Sequence, residues 1–198
     1  GYAALNSQTG TSGEVSNTAV GYYAGYGVTS GTRNTFIGKE AGKVASGSAV
    51  VDNVALGAIA LKALTSGSNN TALGTWASQQ MVNASNTVAV GFYTLANALT
   101  STDIDGCVAI GYASQAENKT GIGNVSVGKS ALQVDVHGDY NTAIGHEALS
   151  SQNGISGTVA NTALGYHAGE NVTTGRYNTI LGAFAGDEHQ TGNHVTAV

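Results

Sequence analysis

Five histidines, one cysteine and a few short acidic stretches are the residues of this chain whose types and spacing could do chemistry. His137, His146, His167, His189 and His194 could each act as a general base, a role that needs a substrate within hydrogen-bond reach. None of them has an acidic partner that recurs along the sequence. The acidic clusters are Asp103-Ile104-Asp105, Asp135-Val136-His137-Gly138-Asp139 and Asp187-Glu188-His189. Each reads as a surface loop, because calcium-binding solenoids repeat their Asp in every coil and this chain does not. Twelve carboxylates scattered over 198 residues supply no facing pair of the kind glycoside hydrolysis requires. Cys107 reads as a buried small residue, not a nucleophile. The chain is therefore expected not to be an enzyme, with no catalytic residue, no metal and no cofactor. A binding role rests on aromatics: Tyr22, Tyr23, Tyr112 and Tyr166, with Trp76, Phe92 and Tyr93, could stack on the sugars of a host surface or pack between chains.

Composition narrows the class further. Charged residues make up 10% of the chain, with 7 Lys+Arg against 12 Asp+Glu and a formal charge of -5. Nucleic-acid binding calls for a basic footprint, so no nucleic-acid partner is expected. No apolar run approaches the ~18 residues of a membrane span, and no membrane partner is expected. A single Cys forms no internal disulfide and no Cys-based zinc site. The chain begins at Gly1 with no initiator Met or signal peptide, and reads as a processed product or a piece of something longer. There are 29 Gly and no Pro.

The elements that must position these residues come from an internal repeat. A five-residue phrase (Asn, Thr or Val, small, aliphatic, Gly) recurs with anchor glycines at 21, 38, 57, 74, 91, 111, 128, 145, 165 and 182. The spacings are 17, 19, 17, 17, 20, 17, 17, 20 and 17. Gly1 fits one further anchor, and Val195-Thr196-Ala197-Val198 is a copy lacking its Gly, so residues 1–198 hold eleven units in a single repeat domain. A unit this short is no independent fold but suffices for one coil of a solenoid. Stacked at the ~4.8 Å ladder spacing, eleven coils make a rod about 50 Å long. The fold class is all-β, a parallel β-solenoid or β-roll of about eleven 17–20-residue coils. Proline cannot donate to such a ladder, which accounts for its absence.

Within a coil, residues two apart share one face of a strand. The aliphatic before each anchor (Val20, Ile37, Leu56, Leu73, Val90, Ile110, Val127, Ile144, Leu164, Leu181) and the Thr or Val two residues earlier are read as the inward core ladder. The residue between them is small at Ala19, Ala55, Ala72, Ala89, Ala109, Ala143 and Ala163, and is read as an outward face that meets other chains, most simply around a threefold axis. Phe36 and Ile180 are exceptions. The small residue three after each anchor (Ala24, Ala41, Ala60) is read as a second inward position. A second glycine seven residues before the anchor (Gly31, Gly67, Gly121, Gly138, Gly175, Gly192) is read as a corner needing positive φ. The Asn opening most phrases predicts an internal amide ladder.

The phrases Asn161-Thr162-Ala163-Leu164-Gly165-Tyr166-His167-Ala168-Gly169 and Thr173-Thr174-Gly175-Arg176-Tyr177-Asn178-Thr179-Ile180-Leu181-Gly182 resemble repeats of phage tail-fibre and related virion proteins. Asn86-Thr87-Val88-Ala89-Val90-Gly91 is similar to the head repeats of trimeric autotransporter adhesins. The resemblance implies a left-handed β-roll packed as a homotrimer, an adhesive or spacer role, and a place on the cell exterior or virion surface. The reading is a structural or adhesive fibre segment. Its first alternative is a filament subunit that self-assembles end to end. Ile110-Gly111-Tyr112-Ala113-Ser114 also matches the phrase of hexapeptide-type acyltransferases, but occurs once per coil where they carry it three times. Ice binding is set aside because the regular Thr position reads as buried.

Overall fold

A computed structural model describes residues 1–9, 15–44, 48–98, 104–153, 156–187 and 191–198. Most strands are three residues long: β1 (Thr18–Val20), β2 (Thr35–Ile37), β3 (Val54–Leu56), β4 (Thr71–Leu73), β5 (Val88–Val90), β6 (Val108–Ile110), β7 (Val125–Val127), β8 (Gly138–Asp139), β9 (Thr142–Ile144), β10 (Gly157–Thr158), β11 (Thr162–Leu164), β12 (Thr179–Leu181) and β13 (Thr196–Ala197). Eleven of them form one sheet in chain order, while β8 and β10 pair separately. Every pairing is parallel and in phase. Val20 lies beside Ile37, Ile37 beside Leu56, and so on to Leu164 beside Leu181. One repeat unit is therefore one turn of a parallel β-solenoid of about ten coils, with no helix among the described residues.

Parallel strands this short hold because the ladder runs on around the corner. The Gly38 N–H donates to Val20 O and the Glu40 N–H to Tyr22 O, each at 2.8 Å, and the pattern recurs coil after coil. The anchor glycines make the corner possible. From Gly21 to Gly182 their φ lies between 125° and 145°, a region closed to residues with a Cβ. The next coil is also close: a Cβ at Gly91 would stand 2.6 Å from Gly111 O. The second corner has a different cause from the one expected. Of its glycines, Gly67 has positive φ (136°), and Gly31, Gly121, Gly138, Gly175 and Gly192 do not. At Gly31, Gly121 and Gly175 a Cβ would overlap a carbonyl of the following coil, so close stacking requires glycine there. The extra residues of the longer coils fall mostly at 45–47, 99–103 and 154–155, outside the described residues.

The two strand faces are the reverse of the expectation. Ala55, Ala72, Ala89, Ala109, Ala143 and Ala163 are fully buried, and Ala19 packs half-buried against the core. They form the core ladder and cannot meet another chain. The aliphatic column read as core faces outward: Val20, Ile37, Leu56, Ile110, Ile144, Leu164 and Leu181 are 37–56% exposed, and Leu73, Val90 and Val127 are half-buried. The cause is the thinness of the coil. The opposite wall is lined by the third and fourth residues after each anchor. These include Ala60 with Leu61, Ala131 with Leu132 and Ala148 with Leu149, all buried. Against a leucine on that wall only a methyl or hydroxymethyl group fits from the strand.

The exceptions obey the same rule. Phe36 and Ile180 are buried to 1% exposure, and glycines make room for them. A Cβ on Gly25 would stand 3.0 Å from the Phe36 ring, and one on Gly42 would overlap it. Cβ atoms on Gly169 and Gly186 would stand 2.7 Å and 3.1 Å from Ile180 Cδ1. Strand and wall side chains thus trade volume at nearly constant packing density.

The expected amide ladder is present. The Asn53 N–H and the Asn53 side-chain amide both donate to Asn34 Oδ1, at 3.0 and 3.2 Å. Asn70 repeats the arrangement on Asn53 at 3.0 and 2.9 Å. Asn141, Asn161 and Asn178 continue it through their backbone N–H groups. Each buried amide is satisfied by the coil on either side, as burial of a polar group demands. Thr87 and Cys107 interrupt the column.

Candidate interaction surface

The outward sheet face carries two columns. One is the aliphatic column just described. The other is Thr18, Thr35, Val54, Thr71, Val88, Val108, Val125, Thr142, Thr162, Thr179 and Thr196, all exposed or half-buried. The hydroxyls expected to point inward face out, so burial no longer argues against ice binding. The column nonetheless carries Val at Val88, Val108 and Val125 in three consecutive coils, and no hydroxyl lattice crosses the middle of the face. What runs its whole length is apolar, an arrangement monomeric proteins seldom leave open over more than a few hundred Å².

Beyond the anchor corner the two variable positions point out or lie half-buried in most coils, as expected, with Ala113 and Ser130 buried instead, and they gather the aromatics in three stacks. Tyr2, Tyr22, Tyr23 and Tyr26 form the first, with Tyr22 and Tyr23 edge-on at 4.3 Å between centroids. Trp76, Phe92, Tyr93 and Tyr112 form the second, with Phe92 and Tyr112 stacked at 5.6 Å. His146, Tyr166, His167 and Phe184 form the third. Tyr22, Tyr112 and Tyr166 remain about half exposed, and Tyr23 is half-buried. The four expected ligand contacts therefore fall in three separate stacks and make no single site.

The interior turns polar midway. One apolar core runs to Ala109 and another starts at Ala131, with Gln115, Asn118, Asn124, Ser126, Asp135 and Gln152 buried between and around them. Asp135, expected in a surface loop, is 2% exposed. It accepts hydrogen bonds from Gly138 N at 2.9 Å, Gln152 Nε2 at 2.9 Å and Asn141 Nδ2 at 3.0 Å. Burial nevertheless pushes its carboxyl up from 3.8 to about 6. The native protein then holds a proton between those two values that the unfolded chain has released. Stability is expected to fall as pH rises from about 4 to 6, by up to about 3 kcal/mol, and to level off above that. Denaturation midpoints across that range should show this slope, and Asp135→Asn should flatten it.

Cys107 is fully buried, as expected, and its Sγ lies 3.2 Å from Gly121 O. Burial pushes the thiol up to about 12, so thiolate is scarce at neutral pH. A thiol reagent such as Ellman's should leave native protein unlabelled for hours and react with one group per chain in denaturant.

Among the histidines, His137 Nδ1 bonds Thr120 Oγ1 at 2.7 Å and His194 stacks on Tyr177 at 5.0 Å. His189, with Glu188 and Asp103, lies outside the described residues. His146 and His167 stack at 5.3 Å with Glu147 against both. The sequence reading missed this carboxylate because Glu147 and His167 are one whole coil apart. Their shared phase, two residues after an anchor, was the available signal. Compared with protein-family models, curated proteins and solved structures, the chain matches none.

Proposed function

We propose that the chain is a segment of a homotrimeric surface fibre, of the phage tail-fibre or cell-surface kind, serving as a stiff spacer or receptor-binding shaft outside the cell or on a virion. The observation that carries this reading is the outward column from Val20 to Leu181 in a single register. A stripe about 50 Å long and apolar from end to end gains most from burial, at roughly 25 cal/mol per Å². Three chains side by side, each turning its sheet to a common axis, cover all three stripes with one closed interface. The resemblance of the repeats to trimeric fibres favours three over two. Ladder bonds give the stiffness. The aromatic corner is left outward, where half-exposed flat rings can stack on the apolar faces of a host glycan or meet a protein receptor.

Charge on the outward column tests the reading. Ile110→Asp or Leu164→Asp should reduce the assembly to single chains while the β-sheet circular dichroism persists. Ala109→Lys, which targets a buried site, should lose the fold itself. Assembly that survives both outward Asp substitutions would refute the assigned face.

A second reading is that chains assemble end to end, with β13 of one chain extending the sheet onto β1 of the next. Electron microscopy showing long fibres of single-chain width would select it.

A further inference from the structure

We infer that His146, Glu147 and His167 form a binding site for a divalent late transition metal of the zinc class, clipping two successive coils together. One ligand atom from each residue lies within 4.8 Å of the other two. His146 Nε2 is 3.7 Å from Glu147 Oε1, and His167 Nε2 is 3.7 Å from Glu147 Oε2. These separations are too long for hydrogen bonds. They lie close to the roughly 3.3 Å between two ligands that each bind zinc at ~2.0–2.1 Å with tetrahedral angles. Small side-chain rotations close the difference. Two imidazoles and one carboxylate are a zinc-type donor set with room for solvent or a further ligand.

The surroundings favour His167 as the anchoring ligand. Its Nδ1 is hydrogen-bonded to Glu170 Oε2, which leaves the Nε2 lone pair toward Glu147. A carboxylate behind a ligating histidine fixes tautomer and ring orientation, so Glu170 is a positioning residue. His146 is held by stacking on Tyr166 and His167, and its buried Nδ1 has no partner in the described structure. It is the weaker ligand. Lys129 Nζ, 4.0 Å from Glu147 Oε1, is the competing cation. Because Glu147 and His167 occupy the same phase of neighbouring coils, a bound metal ties one coil to the next, and its binding free energy adds to native stability.

Titration of the tag-free full chain with ZnCl2 in a calorimeter tests the site. One saturable equivalent per chain is expected, with a rise in melting temperature at saturating zinc. Co2+ should give a visible d–d spectrum of nitrogen and oxygen ligation. His167→Ala and Glu147→Gln should abolish the equivalent and the spectrum while the metal-free melting temperature stays near that of the parent. Glu170→Gln should weaken zinc binding by about 10–100-fold and leave metal-free melting unchanged. His137→Ala should bind as the parent does. Absence of a saturable equivalent, or its survival in both His167→Ala and Glu147→Gln, would overturn the proposal. If a ligand substitution unfolds the chain, Lys129→Met decides: tighter zinc binding supports the site, and unchanged or weaker binding overturns it.

Discussion

Gly91→Ala is expected to destabilise the solenoid by about 2–6 kcal/mol, enough at the upper end to prevent folding in a marginally stable chain. Two effects add. The backbone at Gly91 has φ 136°, which an alanine adopts only under strain. The new methyl would also stand 2.6 Å from Gly111 O, on a coil fixed by its own neighbours. Gly106 separates the two. Its φ is 72°, but the nearest atom to an added Cβ is Gly123 Cα at 4.0 Å. Gly106→Ala should therefore cost only the conformational part, about 1–3 kcal/mol. Denaturant unfolding followed by circular dichroism measures both. Equal effects at the two sites would mean that close stacking of coils is not what selects glycine.

Asn70→Ala carries the second large effect, about 3–5 kcal/mol. The Asn70 side chain donates to Asn53 Oδ1 at 2.9 Å and to Ala84 O at 2.7 Å. It also accepts from Thr87 N at 3.0 Å and Thr87 Oγ1 at 2.7 Å. Truncation leaves Ala84 O and the Thr87 N–H of the following coil buried without partners, while Asn53 Oδ1 keeps the Asn70 N–H, and an unmade buried bond is worth more than a made one. The neighbouring Asn69, whose amide reaches Asn86 Oδ1 at 3.3 Å on the exposed surface, is the contrast: Asn69→Ala should cost no more than about 1 kcal/mol. A loss at Asn70 no greater than at Asn69 would show that the amide column is incidental.

Spacing made the coil legible from sequence, since equal phases in successive units can stack in only one way when every pairing is parallel. The buried Asn column was legible for the same reason. The faces were not, because an aliphatic of the size of Val20 or Leu56 ordinarily marks a core and alanine ordinarily does not. The decisive signal lay in the exceptions. Phe36 is matched by Gly25 and Gly42, and Ile180 by Gly169 and Gly186, whereas Ala55 and Ala143 go with Leu61 and Leu149 on the opposite wall. Such volume trading happens only between side chains that share an interior. The burial of Asp135, read from sequence as part of a surface loop, was not legible because its three donors come from 138, 141 and 152, and their convergence requires knowing the coil. The His146–Glu147–His167 group escaped notice for the same reason.

Sedimentation equilibrium of the native chain at micromolar concentration tests most directly the claim that the outward aliphatic column is an interface. A particle of three times the 19.7 kDa chain mass is the predicted result, with Leu164→Asp returning it to one chain. A native protein that sediments as a single chain throughout that range would contradict it.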